Sequence, residues 1–109
     1  LWLAHRAVLS LANAGATALA LEKYHEFGLD QRPGTDVRSL LGRLKKDQAF
    51  AATGAARAAL FREGRALYED AFRAATDAGD PEAYYPAINA ATLALFAGVG
   101  FLVYTSLFA

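Results

Sequence analysis

The sequence predicts an all-α fold of about five helices, arranged as antiparallel hairpins. Alanine, the strongest helix former, occupies 26 of the 109 positions. The β-branched residues that favour strands are scarce, with four valines and one isoleucine. Apolar side chains recur at steps of three and four, and glycine-containing breaks separate these periodic segments. A chain of this length suits one domain with a sizeable buried core.

The first two helices are predicted to form a hairpin. An apolar stripe runs through residues 1–14, and Gly15 then interrupts it because glycine accepts the positive φ of a helix end. The second helix is expected over 16–27, and Gly28 closes it. Three residues are predicted to lead its buried side: Leu21, Tyr24 and Phe27.

The third and fourth helices follow a loop over residues 28–35. The third is expected to last to about Ala52, with Thr53-Gly54 as its end. Its apolar face consists of Val37, Leu40, Leu41 and Leu44. The fourth has the most regular apolar pattern of the chain: Leu60, Phe61, Gly64, Leu67, Tyr68, Ala71, Phe72 and Ala75. The small Gly64 and Ala71 on this face predict that a partner helix approaches closely.

The fifth helix is expected from about Tyr85. Asp80 could cap a helix that begins at Pro81, but Pro86 would then clash with the preceding turn. We therefore expect a short turn over 80–84 before the helix. Its predicted buried stripe is Ile88, Ala91, Thr92, Leu95 and Phe96, and Gly98 and Gly100 are expected to weaken it.

No charged side chain occurs among the 27 residues 83–109. We interpret 1–98 as the helical domain and 99–109 as an apolar tail, the stub of a further helix. The alternative is a membrane anchor formed by this uncharged segment. Pro86 and the two glycines argue against an anchor, and no Lys or Arg flanks the segment at its end.

The composition excludes several classes of function. The chain has no cysteine, and its two histidines, His5 and His25, lie at no metal-ligand spacing. A net charge of zero argues against a nucleic-acid partner, because proteins that bind nucleic acids usually carry an excess of basic residues. The serines lack the context of a nucleophile, and no glycine-rich phosphate loop is present. We therefore predict no enzyme, no cofactor and no metal site.

Basic side chains gather on the third helix, and two interpretations stay open for them. The segment that includes Asp47 could be a solvated helix face with an internal ion pair. It could instead be a basic patch that faces a protein partner. The four residues of this predicted patch are Arg38, Arg43, Lys45 and Lys46.

Three motifs, in their order along the chain, resemble the TRAFs-binding domain family. They are LGRLKKD at 41–47, ALYEDAF at 66–72, and YYPAINAATL at 84–93 followed by Ala97-Gly98. This tetratricopeptide-like family includes the central regulatory region of apoptosis signal-regulating kinases and many bacterial proteins. The resemblance covers about 18–98. Ala87 stands where the family commonly has glycine, and the apolar residues after Gly98 replace a charged helix.

The resemblance implies a tetratricopeptide-like α-solenoid fragment that acts as a regulatory or scaffolding module and not as an enzyme. Its partner would be another protein or a neighbouring domain of the same chain, in a cytoplasmic signalling-type protein. Since the chain starts at Leu1 and contains no methionine, we expect it to be a piece of a longer polypeptide. Asn89 is expected to bond a free carbonyl of a neighbouring helix. Four further motif residues are expected to hold helices together: Gly42, Arg43, Lys45 and Asp47.

Overall fold

The computed structural model describes residues 2–32 and 34–108, with side chains described for 2–32 and 34–96. Within these residues the chain forms five α-helices and one 3₁₀ turn, Leu29–Gln31, and no strand. Each helix packs on the next one along the chain, and α3 also contacts α1. The predicted all-α fold is therefore confirmed. The helices are α1 (Trp2–Asn13), α2 (Thr17–Glu26), α3 (Thr35–Ala51), α4 (Gly54–Asp77) and α5 (Tyr84–Phe108).

Glycines end the first two helices, as the sequence predicts. Gly15 has a φ of 81° and Gly28 a φ of 70°, a left-handed conformation that glycine adopts without steric cost. The N–H of Gly15 donates to the carbonyl of Ala12, and the N–H of Gly28 donates to that of His25, each at 3.0 Å. These bonds satisfy carbonyls at the helix ends and allow the chain to reverse direction.

The start of α5 agrees with the expectation drawn from Pro86. The Asp80 carboxylate accepts a hydrogen bond of 2.9 Å from the backbone N–H of Glu82, so it caps a short turn and not a helix at Pro81. The helix begins at Tyr84, which places Pro86 in its first turn. A proline is tolerated there because the N–H groups of the first turn have no partner within the helix. Pro86 is fully buried.

Beyond this start, α5 continues to Phe108 as a single helix. The helix is therefore not interrupted at Gly98 or Gly100, where the sequence predicts a weakening, and residues 99–108 extend α5. The division at residue 98 stays a prediction. In the part of the chain that the structure describes, no helix combines the length and the apolar character that crossing a membrane requires. The side chains of 97–109, on which the anchor alternative also depends, lie outside the described ones.

The predicted buried face of α5 is wrong. Ile88 is 60% exposed and Leu95 61% exposed, whereas Pro86, Ala90 and Leu93 are buried. The physical reason is that α5 is apolar on every side, so its sequence does not distinguish a buried face from an exposed one. Contacts with α4 decide its orientation. Of the other residues predicted to face the core, Ala91 is exposed, Thr92 is half-buried and Phe96 is 44% exposed.

The apolar face of α4 is largely where the pattern places it. The buried residues are Phe61, Gly64, Tyr68, Ala71 and Ala75. Phe72, at the margin of the predicted face, is 39% exposed. In α2, Tyr24 is buried as expected, but Phe27 is 41% exposed because the helix ends at Glu26 and Phe27 already belongs to the turn.

The buried residues form two clusters, and α3 contributes to both. The first cluster unites α1, α2 and the first half of α3 around Tyr24, whose hydroxyl donates to the carbonyl of Val37 at 3.1 Å. The second unites the end of α3 with α4 and α5 around Tyr68. Because α3 carries Leu44 in one cluster and Ala49 in the other, it is the helix that joins the two halves.

Helices α3 and α4 approach each other closely at two glycines, Gly42 and Gly64. A Cβ added at Gly42 would lie 3.0 Å from two ring carbons of Tyr68. One added at Gly64 would lie 3.3 Å from the carbonyl oxygen of Gly42 and 3.1 Å from Cδ1 of Leu93. Real Cβ contacts are seldom this short, so a larger residue at either position would force its neighbour to shift. The expectation that Gly64 admits a close partner is confirmed.

We expect Gly42→Ala to destabilise the fold. In an exposed helix interior this change would stabilise by about 1 kcal/mol, because alanine has the higher helix propensity. At Gly42 the new methyl group would overpack the crossing, at a cost of about 1–3 kcal/mol. Urea unfolding followed by circular dichroism measures the net sign. The exposed change Ala66→Gly calibrates the propensity, and a stabilised Gly42→Ala protein would show that the crossing is loose.

Tyr68→Phe should leave stability unchanged or increase it. The Tyr68 side chain is fully buried, and its hydroxyl has no hydrogen-bond partner among the described residues. An unpaired buried hydroxyl costs about 1–3 kcal/mol of desolvation, so its removal is favourable while the ring keeps its contacts. The same urea titration tests this, with Tyr24→Phe as the comparison. That variant loses a buried hydrogen bond and should be less stable by about 1 kcal/mol.

Candidate functional site

A groove lies across α1, α3 and α5 and encloses a cavity of about 260 Å³. Helix α1 lines it with His5 and Leu9, and the start of α5 lines it with Tyr85 and Pro86. We name this the α1–α3–α5 groove. A cavity of this size is below the roughly 300–1,000 Å³ typical of drug-sized ligands and cofactors. It therefore suits one or two side chains of a partner.

One face of α3 forms the floor of the groove. The residues of this face recur at steps of three and four, which in an α-helix place them on the same side. They are Thr35, Asp36, Ser39, Leu40 and Arg43. This spacing is the only signal in the sequence that points to the groove, and without the positions of α1 and α5 it resembles the pattern of any half-buried helix.

Ser39 is the buried polar residue of the floor. Its side chain is 6% exposed, and its hydroxyl oxygen has no hydrogen-bond partner among the described residues. A buried hydroxyl is normally satisfied, often by the carbonyl one helical turn earlier. An unsatisfied one that lines a cavity offers a donor and an acceptor to whatever enters. Sequence reasoning identified Ser39 only as a serine without a catalytic context.

Three carboxylates line the groove: Asp36 in the first turn of α3, and Asp80 and Glu82 in the turn before α5. No lysine or arginine of the described chain forms a salt bridge with them. The carboxylates nevertheless do not converge on one point, since no three acidic or histidine side chains of the described chain could share a metal ion. Their negative charge is thus spread along the rim.

Arg43 lines the groove, but its guanidinium is engaged elsewhere. It donates to the side-chain oxygen of Asn13 at the end of α1, and it pairs with Asp47 one turn along α3 at 3.6 Å. The bond to Asn13 joins α1 to α3. Arg43 therefore holds one wall of the groove in place, and its charge is offset by Asp47.

The four residues of the predicted basic patch do not share one side of α3. Arg43 and Lys45 are two positions apart, so they point about 200° apart around the helix. Lys45 pairs with Glu63 of α4 at 3.3 Å, on the side opposite to the groove residue Arg43. Arg38 lines a separate, more open cleft beside Tyr24 and Asp30. Lys46 is half-buried. A partner-facing role for these residues stays a prediction.

Of the motif residues expected to hold helices together, Gly42, Arg43 and Lys45 do so, whereas Asp47 and Asn89 do not. Asp47 pairs with Arg43 of the same helix. Gly42 forms the α3–α4 crossing, and Arg43 and Lys45 connect α3 to α1 and α4, as described above. Asn89 was expected to reach a neighbouring helix, and this is wrong. Its amide donates to the carbonyl of Tyr85, four residues earlier in the same helix, at 2.9 Å. The carbonyl one turn earlier in the same helix lies within reach of the Asn89 amide, so this local hydrogen bond forms instead of one to a neighbouring helix.

Aromatic side chains at the C-terminal end of α3 pack between helices. Phe50 of α3, Phe61 of α4 and Phe96 of α5 lie with ring centroids 5.4–6.0 Å apart. The guanidinium of Arg57 stands 5.6 Å from the Phe61 centroid and 5.9 Å from that of Phe50. These distances are those of ordinary aromatic and cation–π packing. The cluster therefore has a structural explanation.

The fold and the groove together define a helical-hairpin repeat protein of the tetratricopeptide type. Two hairpins, α1–α2 and α3–α4, are followed by the first helix of a third, and the first helices line a shared surface. The chain belongs to the Tetratricopeptide Repeats-Sensor family, TPR-S, whose model matches residues 3–94. The tetratricopeptide-like resemblance drawn from the motifs is thereby confirmed. No curated protein and no solved structure was found to match the chain.

Proposed function

We propose that this chain is a non-catalytic protein-interaction module, and that the α1–α3–α5 groove receives a segment of its partner. The observation that carries the proposal is the groove itself. Its walls come from α1, α3 and α5. It contains the buried hydroxyl of Ser39, which has no partner among the described residues, and three carboxylates that form no salt bridge within the described chain. Membership of a tetratricopeptide-type family supports an interaction role. A concave surface of this kind suits an extended peptide or a short helix.

The narrower proposal is kinship with the TRAFs-binding domains, in a regulatory or scaffolding part of a cytoplasmic signalling protein. Its support is that three residues of the motif at 41–47, Gly42, Arg43 and Lys45, contact the helices on either side of α3. The partner would then be another protein or a neighbouring domain of the same polypeptide.

Selection from a random peptide display library tests whether the groove binds. The folded chain is used as bait, and selected peptides are re-measured on two tryptophan variants. His5→Trp fills the groove from α1, where His5 is half-buried, and Ala18→Trp places the same side chain at an exposed site on α2. We expect peptides that bind the parent chain and the α2 variant but bind the groove variant at least tenfold more weakly. Peptides that bind all three equally would overturn the proposal.

A further inference from the structure

We infer that the α1–α3–α5 groove selects a segment bearing lysine or arginine side chains, whose cations lie along the carboxylates of Asp36, Asp80 and Glu82. This inference rests on the proposed interaction function and specifies the chemistry of the partner. It concerns residues that are separate from the basic patch of the third helix. It also accounts for the carboxylates that form no ion pair within the described chain.

The balance of charge in the groove is negative. Three carboxylates line it, while its one arginine is paired with Asp47 and bonded to Asn13. The first turns of α3 and α5 also face the groove, and each helix N-terminus contributes only about half a positive charge. Three full negative charges therefore outweigh the two helix dipoles. Charges in a recess lined by protein attract an opposite charge more strongly than charges on an open surface do.

The separation of the three carboxylates indicates whether the groove suits a metal ion or the cationic side chains of a peptide. A bare divalent metal would need several ligands at one point, and the described chain has no such group of three. Cations carried on an extended peptide are spaced along it and match a negative rim instead. The cavity of about 260 Å³ has room for side chains rather than for a folded surface.

Ser39 supplies the second observation that points to a ligand. Its hydroxyl is buried at the floor of the groove and has no partner among the described residues, and an ammonium or guanidinium N–H group of an entering side chain would satisfy it. The desolvation cost that the hydroxyl imposes on the free chain is then recovered on binding. Of the three buried side chains without a hydrogen-bond partner among the described residues, Ser39, Gln48 and Tyr68, it is Ser39 that lines the groove.

The test uses the peptides selected by display. We expect groove-dependent peptides to be enriched in lysine and arginine, and replacing the shared basic residue by glutamine should weaken binding at least tenfold. In the protein, the double variant Asp80→Asn and Glu82→Gln should cause a similar loss. Asparagine at position 80 can still accept the N–H of Glu82, so the turn is kept. The matched control, Glu22→Gln with Asp77→Asn, removes two charges at exposed positions outside the groove and should bind within twofold of the parent.

Ser39→Ala provides a readout that separates binding from folding. We expect it to keep or raise the melting temperature, because it removes an unpaired hydroxyl, and to lower peptide affinity several-fold. A variant with unchanged affinity would remove Ser39 from the site and overturn that part of the inference.

The outcomes distinguish the inference from the function on which it rests. Groove-dependent peptides that are acidic, or that show no charge preference, would overturn the basic-segment inference and leave the interaction module standing. In that case the helix N-termini, and not the carboxylates, would govern recognition. An absence of groove-dependent peptides of any charge would overturn both.

Discussion

Leu93→Ala should destabilise the fold by about 2–5 kcal/mol, whereas Leu95→Ala should change stability by about 0.5 kcal/mol or less. Leu93 is fully buried, and its Cδ1 packs against the bare backbone of Gly64. Truncation there leaves a cavity beside the crossing of α3 and α4. Leu95 lies two positions away in the same helix and is 61% exposed.

The pair is its own control, because the residue type, the helix and the substitution are the same. Urea unfolding of both variants, monitored by circular dichroism, measures the difference. Equal losses at the two positions would mean that α5 turns a different face to α4. The interpretation of Ile88 as an exposed residue would then fail as well.

The second large effect is a loss of stability above pH 10. Burial raises the pKa of Tyr24 from 10.0 to about 12. Between these values the unfolded chain releases the phenol proton while the folded chain retains it. The unfolded state then binds fewer protons, so the free energy of unfolding falls as the pH rises. Two pKa units correspond to about 2–3 kcal/mol. Burial also raises the pKa of Tyr68, which acts in the same direction.

Urea titrations between pH 8 and pH 12 measure this dependence. The double variant Tyr24→Phe and Tyr68→Phe should show a clearly flatter decline over this range than the parent chain. Tyr84→Phe, at a position that is 62% exposed, should decline as steeply as the parent. All three proteins contain the same lysines and the same acidic side chains, so the difference between slopes isolates the buried phenols. A double variant as steep as the parent would contradict the assignment.

The sequence predicts the helices well because their ends are locally encoded. Gly15 and Gly28 mark helix ends through their own backbone freedom, and Pro86 restricts where α5 can start. The face of α4 follows as readily, since charged residues occupy the opposite side. In each case the information lies within a few residues of the element that it determines.

The orientation of α5 and the groove depend on information that the local sequence lacks. Helix α5 has no charged side that would identify its exposed face from the sequence. The contact between Leu93 and Gly64 decides that Leu93, and not Leu95, is the buried leucine. The groove brings together His5, Asp36 and Tyr85, which are separated by 31 and 49 positions. No short motif links them. Asn89 is the opposite case. Its side chain was expected to bond a neighbouring helix, but a carbonyl of its own helix accepts the hydrogen bond.

The division of the interior into two clusters has a consequence for how the molecule opens. The α1–α2 hairpin shares its cluster only with the first half of α3, while α4 and α5 are held by the other cluster. The hairpin can therefore detach as a cooperative unit while the rest stays folded. Since α1 forms one wall of the groove, each such opening also dismantles the groove. A ligand that bridges α1 and α5 would slow amide hydrogen exchange throughout α1 and α2, at sites that it never touches.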